Sequence, residues 1–116
     1  MISEILTIAI DFDGTIVEDA YPQIGKTRIF AFETLKRLQD DGHRLILWTY
    51  RNGETLNDAV DYCKKNGIKL YAVNCSTPDG KMKTGESRLI KADLFIDDRN
   101  VGGLLPWEEV EKIILG

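Results

Sequence analysis

Two aspartates lie close together near the start of the chain. Asp11 and Asp13 are two residues apart in the sequence DFDGT and directly follow the apolar run 5–10. In an extended chain, residues two apart point to the same face, so both carboxylates can enter one site. Gly14 permits a tight turn after them. Two carboxylates at this spacing repel each other unless one is protonated or a cation joins them, so the motif predicts acid–base chemistry or a divalent metal site.

Two later apolar runs also end in polar side chains. The polar endings are Thr49 and Arg51 after the run 45–48, and Asp97 and Asp98 after the run 94–96. In open α/β sheets, ligands bind just beyond the carboxyl ends of the strands. Three polar endings at one edge of a sheet therefore predict a single site.

The rest of the chain predicts the elements that would hold these endings together. Apolar residues recur at helical spacing in 30–41, in 56–63 and from Pro106 to the C-terminus, whereas 6–10, 45–48, 70–73 and 94–96 are continuous apolar runs. Continuous apolar runs that alternate with helices are typical of parallel strands buried on both faces and joined by right-handed crossovers. We therefore expect an α/β fold, a Rossmann-like three-layer sandwich, as one domain over residues 1–116.

Composition restricts the class of partner and the location. The formal net charge is -4 and no basic cluster occurs, which argues against generic nucleic-acid binding and against anionic membranes. The apolar N-terminal stretch is too short to span a bilayer. The two cysteines, Cys63 and Cys75, do not have the spacing of a zinc site or a redox motif, so we expect reduced thiols in a cytoplasmic protein.

The order of these motifs resembles that of the haloacid dehalogenase (HAD) superfamily, and in particular its small capless (C0-type) phosphatases. Asp11, Asp13 and Gly14 fit the first motif, Thr49 fits the second, and the pair at 97–98 fits the fourth. The resemblance covers essentially the whole chain. It implies a core without a cap domain, Mg²⁺ as cofactor, and hydrolysis of phosphomonoesters through an aspartyl phosphate.

The resemblance also implies roles for the four aspartates. Asp11 would be the nucleophile that attacks phosphorus. Asp13 would protonate the leaving oxygen and then activate water, and its backbone carbonyl would bind the metal. Asp11, Asp13 and Asp98 would hold Mg²⁺, with Asp97 either orienting the surroundings of the ion or binding it directly.

Three residues are predicted to contact the substrate phosphate. Thr49 would donate its hydroxyl to a phosphate oxygen that gains charge in the transition state. Arg51 completes a T-x-R string found in some capless members, in which the arginine binds substrate phosphate. Gly14 is assigned to substrate binding as well.

The third family motif is a cation, and its position is less clear in this chain. Lys91 lies six residues before Asp97, which is about 20 Å at about 3.3 Å per residue, so we expect it at the opposite end of the sheet. Lys81, Lys83 and Arg88 lie in a polar stretch that begins at the active edge. We choose Lys83 for the catalytic role.

The intervals between motifs are too short for a cap domain. Only a flap over residues 17–28 and a loop over 74–87 remain near the site, so we expect an open site. Such a site suits a phosphate on a large substrate, or a small substrate enclosed by a homo-oligomer. The substrate is therefore a phosphorylated molecule of unknown size.

Two other classes of protein share some of these features. A non-catalytic module that binds phosphate or metal could keep the fold, although it needs no acid–base pair such as Asp11 and Asp13. A phospho-receiver domain also uses an aspartyl phosphate and magnesium, but it carries the acidic pair early and the phosphorylated aspartate on a later strand. The D-x-D motif comes first here, which favours the hydrolase.

Overall fold

Four parallel strands form one sheet in the structure, a computed structural model that describes residues 4–78 and 91–116. The strands are β1 (Thr7–Ile10), β2 (Arg44–Leu47), β3 (Ala72–Val73) and β4 (Leu94–Ile96), in the spatial order β3-β2-β1-β4. Ile10, at the end of β1, lies opposite Leu47 on one side and Ile96 on the other. The carboxyl ends of these three strands are therefore level.

Three amphipathic helices pack against the sheet, namely α1 (Ala31–Asp40), α2 (Gly53–Lys65) and α3 (Trp107–Leu115). Each buries an apolar stripe, with Leu35 and Leu38 in α1, Ala59 and Cys63 in α2, and Trp107, Val110 and Ile114 in α3. Gly42 and Gly67 adopt positive φ values of 96° and 85° just beyond α1 and α2. Because a side chain is strained in that conformation, glycine ends both helices as predicted.

The two central strands, β1 and β2, are buried on both faces. Ile8 and Ile10 of β1 belong to a large apolar cluster that includes the buried apolar residues of all three helices. Ala9, which points to the other face, lies in a smaller cluster with Ile46 and Ala72. Burial on both faces explains why the strands appear in the sequence as continuous apolar runs.

The observed architecture is α/β and consistent with the predicted Rossmann-like three-layer sandwich. The described residues contain these seven elements and no cap domain. The third strand is shorter than the predicted run 70–73, because it lies at the sheet edge and pairs only with β2. The connection 17–28 is irregular apart from isolated bridges, and residues 79–87 of the second predicted loop lie outside the described residues. None of the helices described could cross a bilayer.

Candidate metal and active site

Three carboxylates meet at the carboxyl edge of the sheet. Asp11 follows β1 directly, Asp97 and Asp98 follow β4, and one oxygen of each lies within 4.8 Å of the others. The Asp11 N–H donates to the Ile96 carbonyl at 3.0 Å, which holds the two strand ends side by side. Oxygen ligands around Mg²⁺ lie about 2.1 Å from the ion, and thus up to about 4.2 Å apart. Small side-chain rotations therefore suffice for the three carboxylates to share one ion.

The electrostatics of this cluster also fit a cation. The pKa of Asp11 is raised to about 7, first by burial, then by the negative charge of Asp97, with a further contribution from Asp98. The pKa of Asp98 is raised as well, by burial and by its contact with Asp97. Crowded carboxylates that resist ionisation are stabilised by a divalent ion between them. The donor set, all carboxylate oxygen, suits hard divalent cations such as Mg²⁺, Ca²⁺ and Mn²⁺.

The loop that carries the first motif is fixed from two sides. Phe12 is fully buried, and its carbonyl accepts hydrogen bonds from the N–H groups of Thr15 and Ile16 at 3.2 and 3.0 Å. The indole N–H of Trp107 donates to the Thr15 carbonyl at 3.0 Å, so α3 also holds this loop. Asp11 and Asp13 are thus attached to a rigid turn.

Gly14 lies against the carboxylate of Asp98. Its φ is 83°, and a Cβ built at this position would overlap an oxygen of Asp98 and approach its Cγ to 3.0 Å. The Gly14 N–H donates to the Val17 carbonyl at 2.8 Å. This amide is therefore not free for a substrate phosphate, and we replace the predicted substrate-binding role of Gly14 with that of making room for Asp98.

We expect Gly14→Ala to weaken Mg²⁺ binding at least about tenfold, because the added methyl group displaces Asp98 from the cluster. The strained backbone should also lower stability by about 1–2 kcal/mol. Gly102→Ala is the matched control, since Gly102 has a φ of 88° and nothing near its would-be Cβ. The shift in Tm on adding Mg²⁺ measures the effect, and an equal shift in both variants would contradict this role for Gly14.

The carboxylate of Asp13 faces Arg51 rather than the other aspartates. The Nε and Nη2 groups of Arg51 each donate to one oxygen of Asp13 at 2.7 Å. Its remaining N–H groups donate to the carbonyls of Pro22, Gln23 and Thr55, and Arg51 is only 1% exposed. The hydrogen bond to Asp13 is the main cause of the raised pKa of Arg51.

These contacts correct the prediction that Arg51 binds phosphate. A guanidinium has five N–H donors, and all five are occupied here by Asp13 and by three backbone carbonyls. Arg51 therefore orients Asp13. As a metal ligand, Asp13 retains only the predicted backbone carbonyl, since its side chain is outside the carboxylate cluster.

Thr49 lies in the same cavity as Asp11. This cavity has a volume of about 180 Å³ and is lined by Asp11, Trp48, Thr49, Tyr50, Asp97 and Arg99. The Thr49 hydroxyl accepts a hydrogen bond from the backbone N–H of Arg51 at 3.1 Å, and within residues 4–78 and 91–116 it donates to no partner. The Thr49 N–H donates to the side-chain oxygen of Asn74 at 2.7 Å. The structure thus brings Thr49, Asp11 and Asp97 together as the sequence predicts.

Arg99 is a cavity residue to which sequence analysis assigned no role. Its charge opposes the rise in the pKa of Asp11, and its backbone N–H donates to Asp97 at 2.9 Å. The sequence signal that could have identified Arg99 is its position directly after the acidic pair.

The lysines and the arginine considered for the third motif lie elsewhere. Lys91 lies beside Thr7 at the amino end of β1, as expected. The other cations considered, Lys81, Lys83 and Arg88, lie outside the described residues.

Tyr50 lines the cavity, and Tyr21 packs against it. The rings of Tyr21 and Tyr50 lie 5.2 Å apart at an angle of 57°, and the Arg51 guanidinium lies 5.3 Å from the Tyr21 ring centre. Tyr50 is 49% exposed. Trp48 is half-buried and packs against the smaller apolar cluster. Aromatic surface therefore adjoins the carboxylates.

The fold and the site together define an α/β protein with a parallel, Rossmann-like sheet and an acidic cluster at its carboxyl edge. No protein-family model and no curated protein matches the chain. Among solved structures, a conserved protein from Bacteroides thetaiotaomicron is similar, with a TM-score of 0.90 and 52% identity over 97% of this chain and 91% of that chain. This chain belongs to the same family as that Bacteroides protein, whose description states no activity.

Proposed function

We propose that the chain is a Mg²⁺-dependent phosphomonoester hydrolase of the HAD type that works through an aspartyl phosphate on Asp11. One observation carries the proposal: Asp11, Asp97 and Asp98 present oxygens within 4.8 Å of one another at the ends of two adjacent strands. The order of the sequence motifs adds the resemblance to the HAD superfamily. The carboxylate cluster and the motif order together fit an enzyme whose nucleophile must approach an anionic substrate.

The three clustered aspartates would hold the ion, with the backbone carbonyl of Asp13 as the further ligand that the resemblance implies. Bound Mg²⁺ would offset the negative charges of the carboxylates and of the phosphate. Without such compensation, a carboxylate nucleophile and a phosphate dianion repel each other. The described residues thus provide ligands for the ion, and the repulsion between nucleophile and phosphate explains why the ion would be needed.

The chemistry proceeds in two displacements at phosphorus. A carboxylate oxygen of Asp11 bonds to phosphorus while the bond to the leaving oxygen breaks, and that oxygen takes a proton from Asp13. Water then attacks the phosphorus of the aspartyl phosphate and gives its proton to Asp13. Inorganic phosphate leaves, and the Asp11 carboxylate is restored.

The pairing of Asp13 with Arg51 bears on both proton transfers. Both oxygens of the Asp13 carboxylate accept a hydrogen bond from Arg51. Each proton transfer therefore needs one carboxylate oxygen to exchange this hydrogen bond for one with the leaving oxygen or with the attacking water. Substrates with good leaving groups depend least on proton donation, so they should react fastest.

Thr49 and Arg99 are the groups best placed to bind the phosphate oxygens. Among the described residues, no acceptor for the proton of the Thr49 hydroxyl is found, and Arg99 lines the same cavity as Asp11. Arg99 is thus our candidate among the described residues for the cation of the third motif, a role that the sequence assigned to Lys83. Charge-assisted hydrogen bonds from an arginine suit a phosphate group.

The second candidate function is a non-catalytic module that binds metal or phosphate. The observation that favours it is the burial of the Asp13 carboxylate against Arg51, because a tightly held ion pair can be purely structural. The predicted homo-oligomer and the predicted cytoplasmic location stay predictions.

Assays of phosphate esters with and without Mg²⁺ test the proposal. We expect hydrolysis of an aryl phosphate with Mg²⁺, loss of at least about 99% of the rate with excess EDTA, and recovery when Mg²⁺ is restored. Alkyl esters such as ribose 5-phosphate should react more slowly. Binding of Mg²⁺ without hydrolysis of any ester would favour the binding module.

A further inference from the structure

The cavity is smaller than a usual small-molecule site. Its volume of about 180 Å³ is below the range of about 300–1,000 Å³ that is typical of small-molecule pockets. A phosphate group that contacts Asp11 and Thr49 occupies the floor of this space. A substrate with a further ring beyond the phosphate-bearing group would therefore extend onto the rim.

The rim is aromatic on the side that follows β2. Tyr50 comes directly after Thr49, lines the cavity and leaves about half of its surface exposed. Trp48, which precedes Thr49 in the sequence, lines the same cavity. An exposed aromatic ring beside a phosphate-sized cavity is suited to stack on a planar ring carried by the substrate.

The contacts of Tyr50 hold its ring in place. It packs on Tyr21, which in turn lies over the guanidinium of Arg51, and Arg51 is fixed by Asp13. A ring fixed before binding loses little conformational freedom when a ligand stacks on it. Phe95 on β4 differs in this respect, since it is 45% exposed, lies outside the cavity and has no ring contact with another described residue.

We propose that Tyr50, supported by Tyr21, is a stacking platform that selects phosphomonoesters with a planar ring in the leaving group, such as nucleoside monophosphates. This inference rests on the proposed function and names its substrate class. Stacking of one base on an aromatic side chain changes affinity between about fivefold and a hundredfold. We therefore expect a substrate with a base to be preferred, by a factor within this range, over a substrate that lacks the base.

Uridine 5′-monophosphate and ribose 5-phosphate are the matched probes, since they share the leaving oxygen and differ mainly in the base. We expect kcat/KM to be at least about fivefold higher for the nucleotide, chiefly through KM. Tyr50→Leu should bring the ratio close to one, whereas Tyr50→Phe should retain it because stacking needs only the ring. Phe95→Ala controls for the loss of an exposed aromatic and should keep the ratio.

A second measurement separates this inference from the proposed function. Calorimetric titration of Asp11→Asn with each probe in Mg²⁺ reports base-dependent binding without turnover. Hydrolysis of both probes with equal efficiency, or an unchanged ratio in Tyr50→Leu, overturns the platform and leaves the hydrolase intact. Binding that depends on the base and on Tyr50, without hydrolysis of any ester, supports the platform and overturns the hydrolase.

Discussion

Asp11→Asn is expected to lower the hydrolysis of an aryl phosphate at least about a thousandfold, because an amide oxygen cannot form the phosphoenzyme. The fold should persist, since the change removes one charge from three crowded carboxylates. Circular dichroism and thermal melting check the fold, and release of inorganic phosphate checks the activity. Trapping of ³²P on the wild-type chain but not on the variant would identify the attacked residue.

The control for this experiment is Asp58→Asn, which removes an exposed carboxylate from α2. This variant should retain wild-type turnover. Mg²⁺ gives a further readout, because an ion that binds only the folded chain raises Tm, and the rise should be smaller in Asp11→Asn. Turnover close to the wild-type rate in Asp11→Asn would refute Asp11 as nucleophile.

Arg51→Met is expected to reduce the free energy of unfolding by about 3–5 kcal/mol, which is the cost of leaving a buried charge without its partner. The side chain of Asp13 is only 1% exposed and that of Arg51 is fully buried. The variant also loses the hydrogen bonds that Arg51 donates to three backbone carbonyls. Urea unfolding monitored by circular dichroism measures the change.

Two comparisons make this prediction specific. Arg37→Met breaks the ion pair with Glu111, but the Arg37 side chain is 62% exposed, so its cost should stay within about 1 kcal/mol. Asp13→Leu combined with Arg51→Met removes both charges and should recover part of the stability lost in Arg51→Met alone. Equal losses from Arg37→Met and Arg51→Met would show that the buried pair contributes no more than a surface pair.

Local patterns in the sequence predict the sheet edge well. The strands β1, β2 and β4 each end in an apolar run, and the residues just beyond those runs are the ones that meet around Asp11. The helix ends at Gly42 and Gly67 were also predictable from the local sequence, because glycine tolerates the positive φ that ends a helix. These features depend on residues close together in the chain.

The role of Arg51 was not predictable in this way. Its partner Asp13 is 38 residues away, and two of its carbonyl partners, Pro22 and Gln23, lie in a loop without periodicity. A T-x-R string has the same letters whether the arginine faces a substrate or an internal carboxylate. Only the packing of the 17–28 segment against the start of α2 decides between these arrangements.

The level register of β1, β2 and β4 limits how the genes of this family can diverge. Insertion of one residue into β4 would move Asp97 by about 3.3 Å and turn alternate side chains to the opposite face of the sheet. Surface connections tolerate added length far more readily. Natural length variants should therefore concentrate in the loops, while codon insertions or deletions inside these three strands are eliminated by selection.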